Sequence, residues 1–441
     1  MIRTHGSAAF TSSGVGYTVT FSEAVTGVGI NDFSFTSTNG SPNPFVTGLI
    51  TTNNIVFTIN LNTGSNAGKF RLDLKNSGTG IADAAGNAIT QGFTGGEEYT
   101  VQIPDPAITA GGSALTAMTT NYGAASASQG FTVSGSNLTA NLIITAPNGF
   151  EVSKDNGVTY GVSTSITPVS GTVASTSILV RLAATTSVGS YSGNIVLAST
   201  GATSVNLATA SSTVSQRALT ITANNANKTY GVLLVGGSGS VAFTPTGLRN
   251  GETIGSVTLA YGTGAGTNAG VGTYTGSVAP SAAIGGTFTA SNYSISYAAG
   301  NIIVGTATLS IAANNVNKTY GQVLAGSSSS TAFTPSGLQN GETVGSVSIA
   351  YGTGAAGNAA VGTYTGSVTP SALTGGTFNA SNYSISYATG NIIIGAKALT
   401  ITSNNTNKTY GMLLVGGTGS AAFTASGLEN GETIGSVTLA Y

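Results

Sequence analysis

The stretch Asn227-Lys228-Thr229-Tyr230-Gly231 decides the architecture of this chain, because it occurs three times at a fixed spacing. The same five residues stand at Asn317–Gly321 and at Asn407–Gly411, so that each step is 90 residues. A constant period of several tens of residues indicates an array of similar structural units. Residues 218–307 and 308–397 are therefore predicted to be two complete copies, and residues 398–441 to be a third, truncated copy.

Two different modules precede the repeats, at residues 1–105 and 106–215. Each contains short runs of alternating apolar and polar residues between turn signals, which is typical of an immunoglobulin-like β-sandwich. Pro104 and Pro106 mark the boundary between the modules, because proline cannot donate a hydrogen bond to a β-ladder. In the second module, Asp155-Asn156-Gly157 predicts a tight hairpin turn between Phe150–Ser153 and Val158–Tyr160.

Within a repeat, the alternation of apolar and polar residues predicts about five strands. In the first copy they are Leu219–Ala223, Val257–Tyr261, Gly272–Val278, Tyr293–Tyr297 and Ile302–Val304. The last two are predicted to form a hairpin, and Asn250 is predicted to cap a single helical turn at Asn250–Ser256. The fold is thus expected to be mainly β, as a tandem array of two sandwiches followed by repeats with at most one short helical turn each.

The composition of the chain excludes several classes of function. Charged residues make up only 6% of the chain, and the formal net charge is −1. Nucleic-acid binding needs clustered Lys and Arg, so 12 basic residues spread over 441 positions argue against it. The chain contains no run of about 20 apolar residues, so no transmembrane helix is predicted. Hydrophobic residues make up 40% of the chain, which favours folded cores over disorder.

No catalytic, cofactor-binding or metal-ligating residue is assigned, and the chain is not expected to be an enzyme. Nucleophilic triads and zinc sites draw on His or Cys, whereas His5 is the single His and Cys is absent. Gly64–Phe70 superficially resembles a phosphate-binding loop. Its spacing differs, and Phe70 begins a predicted strand where a helix is required, so this stretch is interpreted as a plain loop.

Most acidic residues of the two modules lie in the first module, and three interpretations of them stay open. They are Glu23, Asp32, Asp73, Asp83, Glu97, Glu98 and Asp105. The favoured interpretation places them on turns and exposed faces. The alternatives are a pair of carboxylates for glycoside hydrolysis and a calcium site near Asp83 and Asn87, since calcium binds several oxygen ligands. No other cofactor is expected.

Each repeat holds one Lys and one Glu at matched positions, namely Lys228, Lys318 and Lys408, and Glu252, Glu342 and Glu432. They are predicted to be independent or to form an ion pair worth less than about 1 kcal/mol. An isopeptide bond between the Lys and an Asn is the alternative. Tyr293 and Tyr297 alternate with polar residues beside Ile295, so they are predicted to lie in the core and not on a sugar-binding face.

Several motifs of the repeat stand in a fixed order: Lys228–Gly231, Gly247-Leu248, Gly251–Thr253, Val271–Tyr274 and Asn292–Tyr297 followed by Gly300. Together they resemble the MBG domain of the YGX type, over about residues 218–441. The resemblance implies β-grasp-like domains arranged in tandem in large bacterial cell-surface or secreted adhesin-like proteins. Residues 17–87 resemble immunoglobulin-like repeats of bacterial surface proteins, and residues 129–207 resemble another sandwich module of secreted bacterial proteins.

The sequence favours a non-catalytic extracellular stalk or adhesin segment that projects or forms a binding region of the bacterial cell surface. Two alternatives stay open: a carbohydrate- or protein-binding module in residues 1–215, and the non-catalytic tail of an exported enzyme. The expected partner is a host, surface or matrix glycan or protein, and the chain is expected to be a monomeric rod. Met1–Phe10 lacks an apolar signal region, so both ends are interpreted as incomplete. Residues 398–441 are predicted to be less buried than residues 308–351.

Overall fold

The computed structural model describes residues 1–4 and 14–441, and His5 lies outside the described residues. The fold is mainly β, with 54% of residues in strands and 2% in helical turns. The described helical segments are 3-10 turns at Ile30–Asp32, Ala290–Asn292 and Ala380–Asn382. No helix in the described ranges is long and apolar enough to cross a membrane. The chain divides into two compact units, residues 1–215 and 216–441.

The first module encloses one hydrophobic core between two sheets. Its strands are β1 (Ile2–Arg3), β2 (Gly14–Thr20), β3 (Val25–Thr26), β4 (Phe33–Gly40), β5 (Phe45–Thr51), β6 (Val56–Asn62), β7 (Gly68–Leu74), β8 (Ala82–Asp83) and β9 (Glu98–Val101). The sheet orders are β1-β2-β6-β5 and β4-β7-β9, and β3 pairs with β8. Tyr17, Phe70 and Tyr99 are fully buried in this core, because a strand directs alternate side chains to the same face.

The second module is also built from two sheets. Its strands are β10 (Ala107–Gly111), β11 (Thr119–Asn121), β12 (Gln129–Ser136), β13 (Leu142–Thr145), β14 (Phe150–Ser153), β15 (Ser163–Ile166), β16 (Val173–Leu182), β17 (Gly189–Ala198) and β18 (Val205–Ser215). The sheet orders are β10-β12-β16-β14 and β11-β18-β17-β13-β15. The longer strands present buried residues to the space between the sheets, as in β16, where Ile178, Val180 and Leu182 are fully buried.

The predicted hairpin of the second module is wrong. Asn156 and Gly157 do form a tight turn, with φ of 62° and 89°. Beyond the turn, however, only a single bridge joins Val152 to Gly161, and β14 pairs with β16. The reason is that the Asp155 carboxylate accepts the backbone N–H of Thr159 at 2.9 Å, which keeps the chain curled after the turn.

The two complete repeats have the same strands in the same order. The first repeat contains β19 (Arg217–Ala223), β20 (Ala226–Thr229), β21 (Gly237–Ser240), β22 (Phe243–Thr246), β23 (Ile254–Tyr261), β24 (Gly272–Gly286), β25 (Tyr293–Ala298) and β26 (Gly300–Gly305). The second contains β27 (Ala307–Ala313), β28 (Val316–Thr319), β29 (Ser327–Ser330), β30 (Phe333–Ser336), β31 (Val344–Tyr351), β32 (Gly362–Gly376), β33 (Tyr383–Ala388) and β34 (Gly390–Gly395). In the first, the orders are β22-β19-β25 and β20-β26-β24-β23-β21, and the second matches them strand for strand.

Two details predicted for the repeat are wrong. Strands β25 and β26 do not form a hairpin: β25 pairs in parallel with β19, whereas β26 pairs with β20 and β24 in the other sheet. The helical turn lies at Ala290–Asn292, whereas Asn250 and Gly251 have φ of 54° and 72°. Two consecutive positive φ angles form a type I′ turn, which Asn-Gly favours over a helix start.

The two tyrosines of β25 differ in burial, so the prediction that both lie in the core is correct for Tyr293 and wrong for Tyr297. Tyr293 is 3% exposed, but Tyr297 is 40% exposed. The hydroxyl of Tyr297 accepts the backbone N–H of Ala283 at 3.0 Å. It therefore lies against strand β24 at the surface, where Ala282 has a positive φ of 47°.

The third copy is far less buried than the second, as predicted. Its strands are β35 (Thr400–Ser403), β36 (Gly417–Ser420), β37 (Phe423–Ser426) and β38 (Val437–Leu439), paired β35 with β37 and β36 with β38. Leu309 and Ile311 of the second copy are fully buried, whereas Leu399 and Ile401 are each 46% exposed. Strand β27 has two neighbours, β30 and β33, while β35 pairs with β37 alone within the described residues.

Candidate functional site at the junction between repeats

Asp83, at the candidate calcium site of the first module, is held by local partners. The carboxylate of Asp83 accepts the backbone N–H groups of Ala85 and Asn87 at 2.9 and 2.8 Å, and the Asn87 amide at 2.7 Å. These bonds, with that of the Asn87 amide foremost, lower the pKa of Asp83. Asp83 and Asn87 do come together, but their contacts close their own turn. Within residues 1–4 and 14–441, no group of three His, Cys, Asp or Glu side chains could hold a metal ion.

The loop that superficially resembles a phosphate-binding loop is occupied by a side chain of the same module. The backbone N–H groups of Ser65 and Asn66 donate to Oδ1 of Asn43 at 2.9 and 3.1 Å. The loop then enters strand β7. It is a structural turn, as the sequence indicated.

The second module has an open concavity of about 400 Å³. It is lined by Asn148, Gly149, Phe150, Val162, Ala183, Thr185, Thr186, Ser187 and Tyr191. Two bonds fix its walls: Thr186 Oγ1 donates to the Gly149 carbonyl at 2.8 Å, and the Tyr191 hydroxyl donates to the Ser187 carbonyl at 2.9 Å. The lining is therefore preformed and carries no ionised side chain.

The most developed side-chain network of the repeats lies where the first copy meets the second. Tyr230 of the first copy is 5% exposed and donates its hydroxyl to Oε1 of Glu342 in the second copy at 2.7 Å. The other oxygen of Glu342 accepts the hydroxyl of Tyr383, also in the second copy. The two tyrosine rings meet edge to face, with centroids 5.5 Å apart. One carboxylate thus joins an aromatic pair that spans the junction.

Two asparagines add hydrogen bonds on either side of this pair. Asn340 Nδ2 donates to the carbonyl of Thr267 at 3.1 Å, and the same carbonyl accepts the backbone N–H of Gly231 at 3.1 Å. The buried Oδ1 of Asn382 accepts the backbone N–H of Val271 at 2.9 Å. The second copy therefore contacts the first through its Asn-Gly-Glu turn (Asn340–Glu342) and through the end of its 3-10 turn, at Asn382 and Tyr383.

Lys228 holds the loop that the second copy contacts. Lys228 is only 8% exposed. Its Nζ donates to the carbonyls of Val232 and Ala265 at 2.8 and 3.2 Å, and also to the carbonyl of Gly266. Burial lowers the pKa of Lys228. These three carbonyls lie next to Thr267 or to the Tyr-Gly turn, so the lysine fixes the shape of the face that meets the next copy.

Lys228 and Glu252 do not form an ion pair with each other, which agrees with the independent arrangement among those predicted. Lys228 binds backbone carbonyls, and Glu252 accepts the hydroxyl of Tyr293. The ammonium of Lys318 likewise donates to three carbonyls, those of Gln322, Ala355 and Ala356. An isopeptide bond to an Asn remains a prediction for mass measurement, and the hydrogen bonds seen here are those of a free ammonium.

Sequence comparison names the motifs that build this junction. Residues 219–303 and 309–393 match the model of the MBG domain (YGX type). The two complete copies are MBG domains. The Tyr-Gly pair of the motif supplies one side of the junction, and the Asn-Gly-Glu turn of the next MBG domain supplies the other.

The comparisons with other whole proteins are distant. No curated protein sequence is a significant match. Among solved structures, the adhesin InvE of Yersinia pseudotuberculosis is 15% identical, over 60% of this chain and 67% of that chain, with a TM-score of 0.19. The TIE protein of Bacillus anthracis is 9% identical, over 72% of this chain and 63% of that chain, with a TM-score of 0.21.

The junction between the second MBG domain and the third copy repeats part of these contacts. Tyr320 donates its hydroxyl to Oε1 of Glu432. Asn430 Nδ2 donates to the carbonyl of Gly357 at 3.2 Å, and that carbonyl accepts the backbone N–H of Gly321 at 3.0 Å. The recurrence of these bonds after 90 residues shows that the junction is a property of the repeat and not of one pair of domains.

Hydrogen bonding to the glutamates changes the acidity of the tyrosines. Burial, together with the bond to Glu342, raises the pKa of Tyr383 from 10.0 to about 12. The bond to Glu342 is the main cause that raises the pKa of Tyr230, and the bond to Glu432 does the same for Tyr320. Ionising a phenol beside a carboxylate would place two negative charges together, so the network favours neutral tyrosine.

The second module carries the same end structure as the MBG domains. The backbone N–H of Tyr122 donates to Ser215 at 2.9 Å, as Tyr230 donates to Gly305 at 2.9 Å. The hydroxyl of Tyr191 donates to Ser187 at 2.9 Å, and that of Tyr274 donates to Gly270 at 3.0 Å. The sequence signal is the pair of stretches Val188-Gly189-Ser190-Tyr191-Ser192-Gly193 and Val271-Gly272-Thr273-Tyr274-Thr275-Gly276, which sequence reasoning had not connected.

Proposed function

We propose that this chain is a non-catalytic segment of an extracellular bacterial surface protein, in which consecutive MBG domains act as a stalk. The observation that carries the proposal is the bonding of Glu342 by Tyr230 of the preceding domain and by Tyr383 of its own. A stalk has to resist bending between domains, and side-chain bonds across each joint supply that resistance. The MBG domains favour a cell-surface adhesin-type protein, with a host, surface or matrix glycan or protein as the partner of its binding region.

The connection between the domains supports a stiff joint. Strand β26 ends at Gly305 and strand β27 begins at Ala307. A single residue, Thr306, therefore links the two domains, whereas flexible joints use longer Gly- and Ser-rich linkers. The short link, the edge-to-face tyrosines and the two asparagine bonds all restrict the same joint. The surface of such an array is built from hydroxyl and amide groups, because charged residues make up only 6% of the chain.

Distance measurements on the full chain test this function. Cys is absent from the sequence, so Ser238→Cys and Ser328→Cys, at equivalent exposed positions of the two MBG domains, carry the only spin labels. Double electron–electron resonance is expected to give one narrow distance distribution across the joint. Tyr230→Phe combined with Glu342→Gln is expected to broaden it, because both bonds to the carboxylate are weakened.

A second label pair inside one domain is the matched control. Ser328→Cys and Ser384→Cys both lie in the second MBG domain and are expected to keep a narrow distribution in every variant. A broad distribution between Ser238→Cys and Ser328→Cys in the unaltered chain, with a narrow one inside the domain, would show flexible joints. That result would reject the stalk.

A saccharide-binding site in the second module is the second candidate function, and the concavity beside Tyr191 favours it. Its lining offers an aromatic ring, hydroxyls and an amide without any charged group, which suits a neutral sugar. A glycan array probed with the full chain is expected to show binding that Tyr191→Ala removes. Tyr297→Ala, at a tyrosine that is 40% exposed, is the matched control and should bind normally. Equal binding by both variants would exclude this site.

A further inference from the structure

Gln339 precedes the Asn-Gly-Glu turn of the second domain and lies directly over Gly231 of the first domain. Gly231 has a φ of +89°, and a Cβ built on it would come within 2.3 Å of Oε1 of Gln339 in the next domain. In the following junction, Gly321 has a φ of +94°, and its Cβ would come within 2.4 Å of Cγ of Glu429. The same position of the interface is thus occupied by a neutral side chain in one junction and by a carboxylate in the other.

The carboxylate of Glu429 is compensated by Lys397, whose position corresponds to Ala307, the first residue of β27 in the second copy. Lys397 Nζ forms an ion pair with Glu429, and the two side chains are 36% and 32% exposed. Ala307 occupies the position of Lys397 in the second MBG domain, where the residue over the glycine is Gln339. Of the two copies that follow an MBG domain, only the third carries charges at these two positions, whereas the first copy carries two positive charges there, Arg217 and Arg249.

The compensation matters because Glu429 and Glu432 belong to one turn. The backbone N–H of Glu432 donates to the carbonyl of Glu429 at 2.9 Å, and Glu432 is the acceptor for Tyr320. Two carboxylates at the ends of a β-turn repel each other when no cation is close. Lys397 offsets that repulsion and leaves Glu432 in place to accept the tyrosine of the preceding domain.

We propose that two equivalent pairs of positions determine how firmly each junction closes at a given ionic strength. The pair is 307 and 339 at the first junction, and 397 and 429 at the second. The first junction, with Ala307 and Gln339, closes independently of salt. The second, with Lys397 and Glu429, loosens when salt screens the ion pair. This inference rests on the proposed stalk function and adds that the charges at these two positions set the stiffness of each joint separately.

The test uses the full chain with one label pair for each junction. Ser238→Cys with Ser328→Cys spans the first, and Ser328→Cys with Thr418→Cys spans the second. At about 1 M salt the screening length falls to about 3 Å, so the distribution across the second junction is expected to broaden while that across the first stays unchanged. Thr402→Cys with Thr418→Cys, inside the third copy, shows whether that copy itself stays folded.

Transplanting the charge pair gives the decisive comparison. Gln339→Glu is expected to broaden the first junction at low salt, because the new carboxylate lies in one turn with Glu342 without a lysine. Adding Ala307→Lys is expected to restore a narrow distribution at low salt and to make it salt-sensitive. Ala307 is 6% exposed, but at the equivalent position of the first domain a long basic side chain, that of Arg217, is half-buried and donates to the carbonyl of Gly247 at 3.2 Å.

Two outcomes would overturn the inference. One is a distribution for Gln339→Glu that is as narrow as that of the unaltered chain. The other is a failure of Ala307→Lys to restore it while the label pair inside the domain shows normal folding. If Tyr230→Phe with Glu342→Gln broadens the joint but these charge variants do not, the stalk function stands and only this inference fails.

Discussion

Tyr230 and Glu342 are 112 positions apart in the chain, and the hydroxyl of the tyrosine donates to Oε1 of the glutamate at 2.7 Å. The tyrosine belongs to the first MBG domain and the glutamate to the second. Tyr320 and Glu432 repeat the relationship 90 residues later. The two residues that mark the repeat in the sequence are thus partners across the joint, and not within one domain.

The amide of Val271 reports whether the joint is closed, because it donates to Asn382 of the next domain at 2.9 Å. In the full chain its hydrogen exchange should be slow, and Tyr230→Phe should accelerate it about tenfold, equivalent to about 1.4 kcal/mol. Nuclear magnetic resonance of the labelled chain measures this rate. Val361, the equivalent residue of the second domain, is the control and should exchange at the same rate in both chains. An unchanged rate at Val271 would contradict the role of Tyr230.

The stability of the second MBG domain should depend on pH in the alkaline range. The pKa of Tyr383 is raised from 10.0 to about 12, so the folded state favours the neutral phenol. The resulting stabilisation is complete below about pH 10 and is lost as the pH rises towards about 12. Absorbance titration of the phenolates should show a late-ionising fraction, because the pKa values of Tyr17, Tyr230 and Tyr320 are raised as well. Tyr383→Phe should reduce that fraction by one tyrosine. A titration that the variant leaves unaltered would contradict this assignment.

The three matched lysines should differ in importance. Lys228→Met removes an ammonium that donates to three carbonyls, and the loop at residues 262–270 should exchange its amides about 30-fold faster, equivalent to about 2 kcal/mol. Lys408 stands at the same position of the third copy but is exposed, so Lys408→Met should change exchange in its own copy by less than about twofold. Mass spectrometry of proteolytic peptides measures both. Similar effects of the two variants would mean that burial of the lysine is unimportant.

Alanine substitutions at two equivalent glycines distinguish the effect of backbone strain from that of a contact across the joint. Gly231 and Gly411 have φ of +89° and +87°, but only the Cβ of Gly231→Ala would meet the next copy, at Gln339. Around Gly411, a Cβ meets nothing within 4 Å. Both variants should therefore lose about 1 kcal/mol from backbone strain.

Only Gly231→Ala should also widen the distance distribution between the labels at positions 238 and 328, since Gln339 must move. The comparison with Gly411→Ala shows whether strain alone is responsible. An unchanged distribution for Gly231→Ala, with the expected loss of stability, would show that Gln339 is not part of the closed joint.

Much of the fold could be predicted, because local patterns carry it. Alternation of apolar and polar residues places Leu219 and Ile221 on one buried face, and the structure buries both fully. The exposure of Leu399 also agrees with the sequence, since residues 398–441 do not include a counterpart of β33, which pairs with β27 in the second copy. The tight turn at Asn250-Gly251 also has a local signal, because Asn-Gly favours a type I′ turn over the helix cap predicted there.

The sequence by itself determined the 90-residue period, the β-rich character and the small number of charged and metal-binding residues, because these depend on composition and on side chains two positions apart. The tertiary structure alone decided that β25 and β26 enter different sheets, that Tyr297 lies at the surface, and that Glu342 binds Tyr230 of the preceding domain. Such pairings join residues that are tens of positions apart, and alternation along a strand gives the face of each side chain but not the strand or domain that it meets.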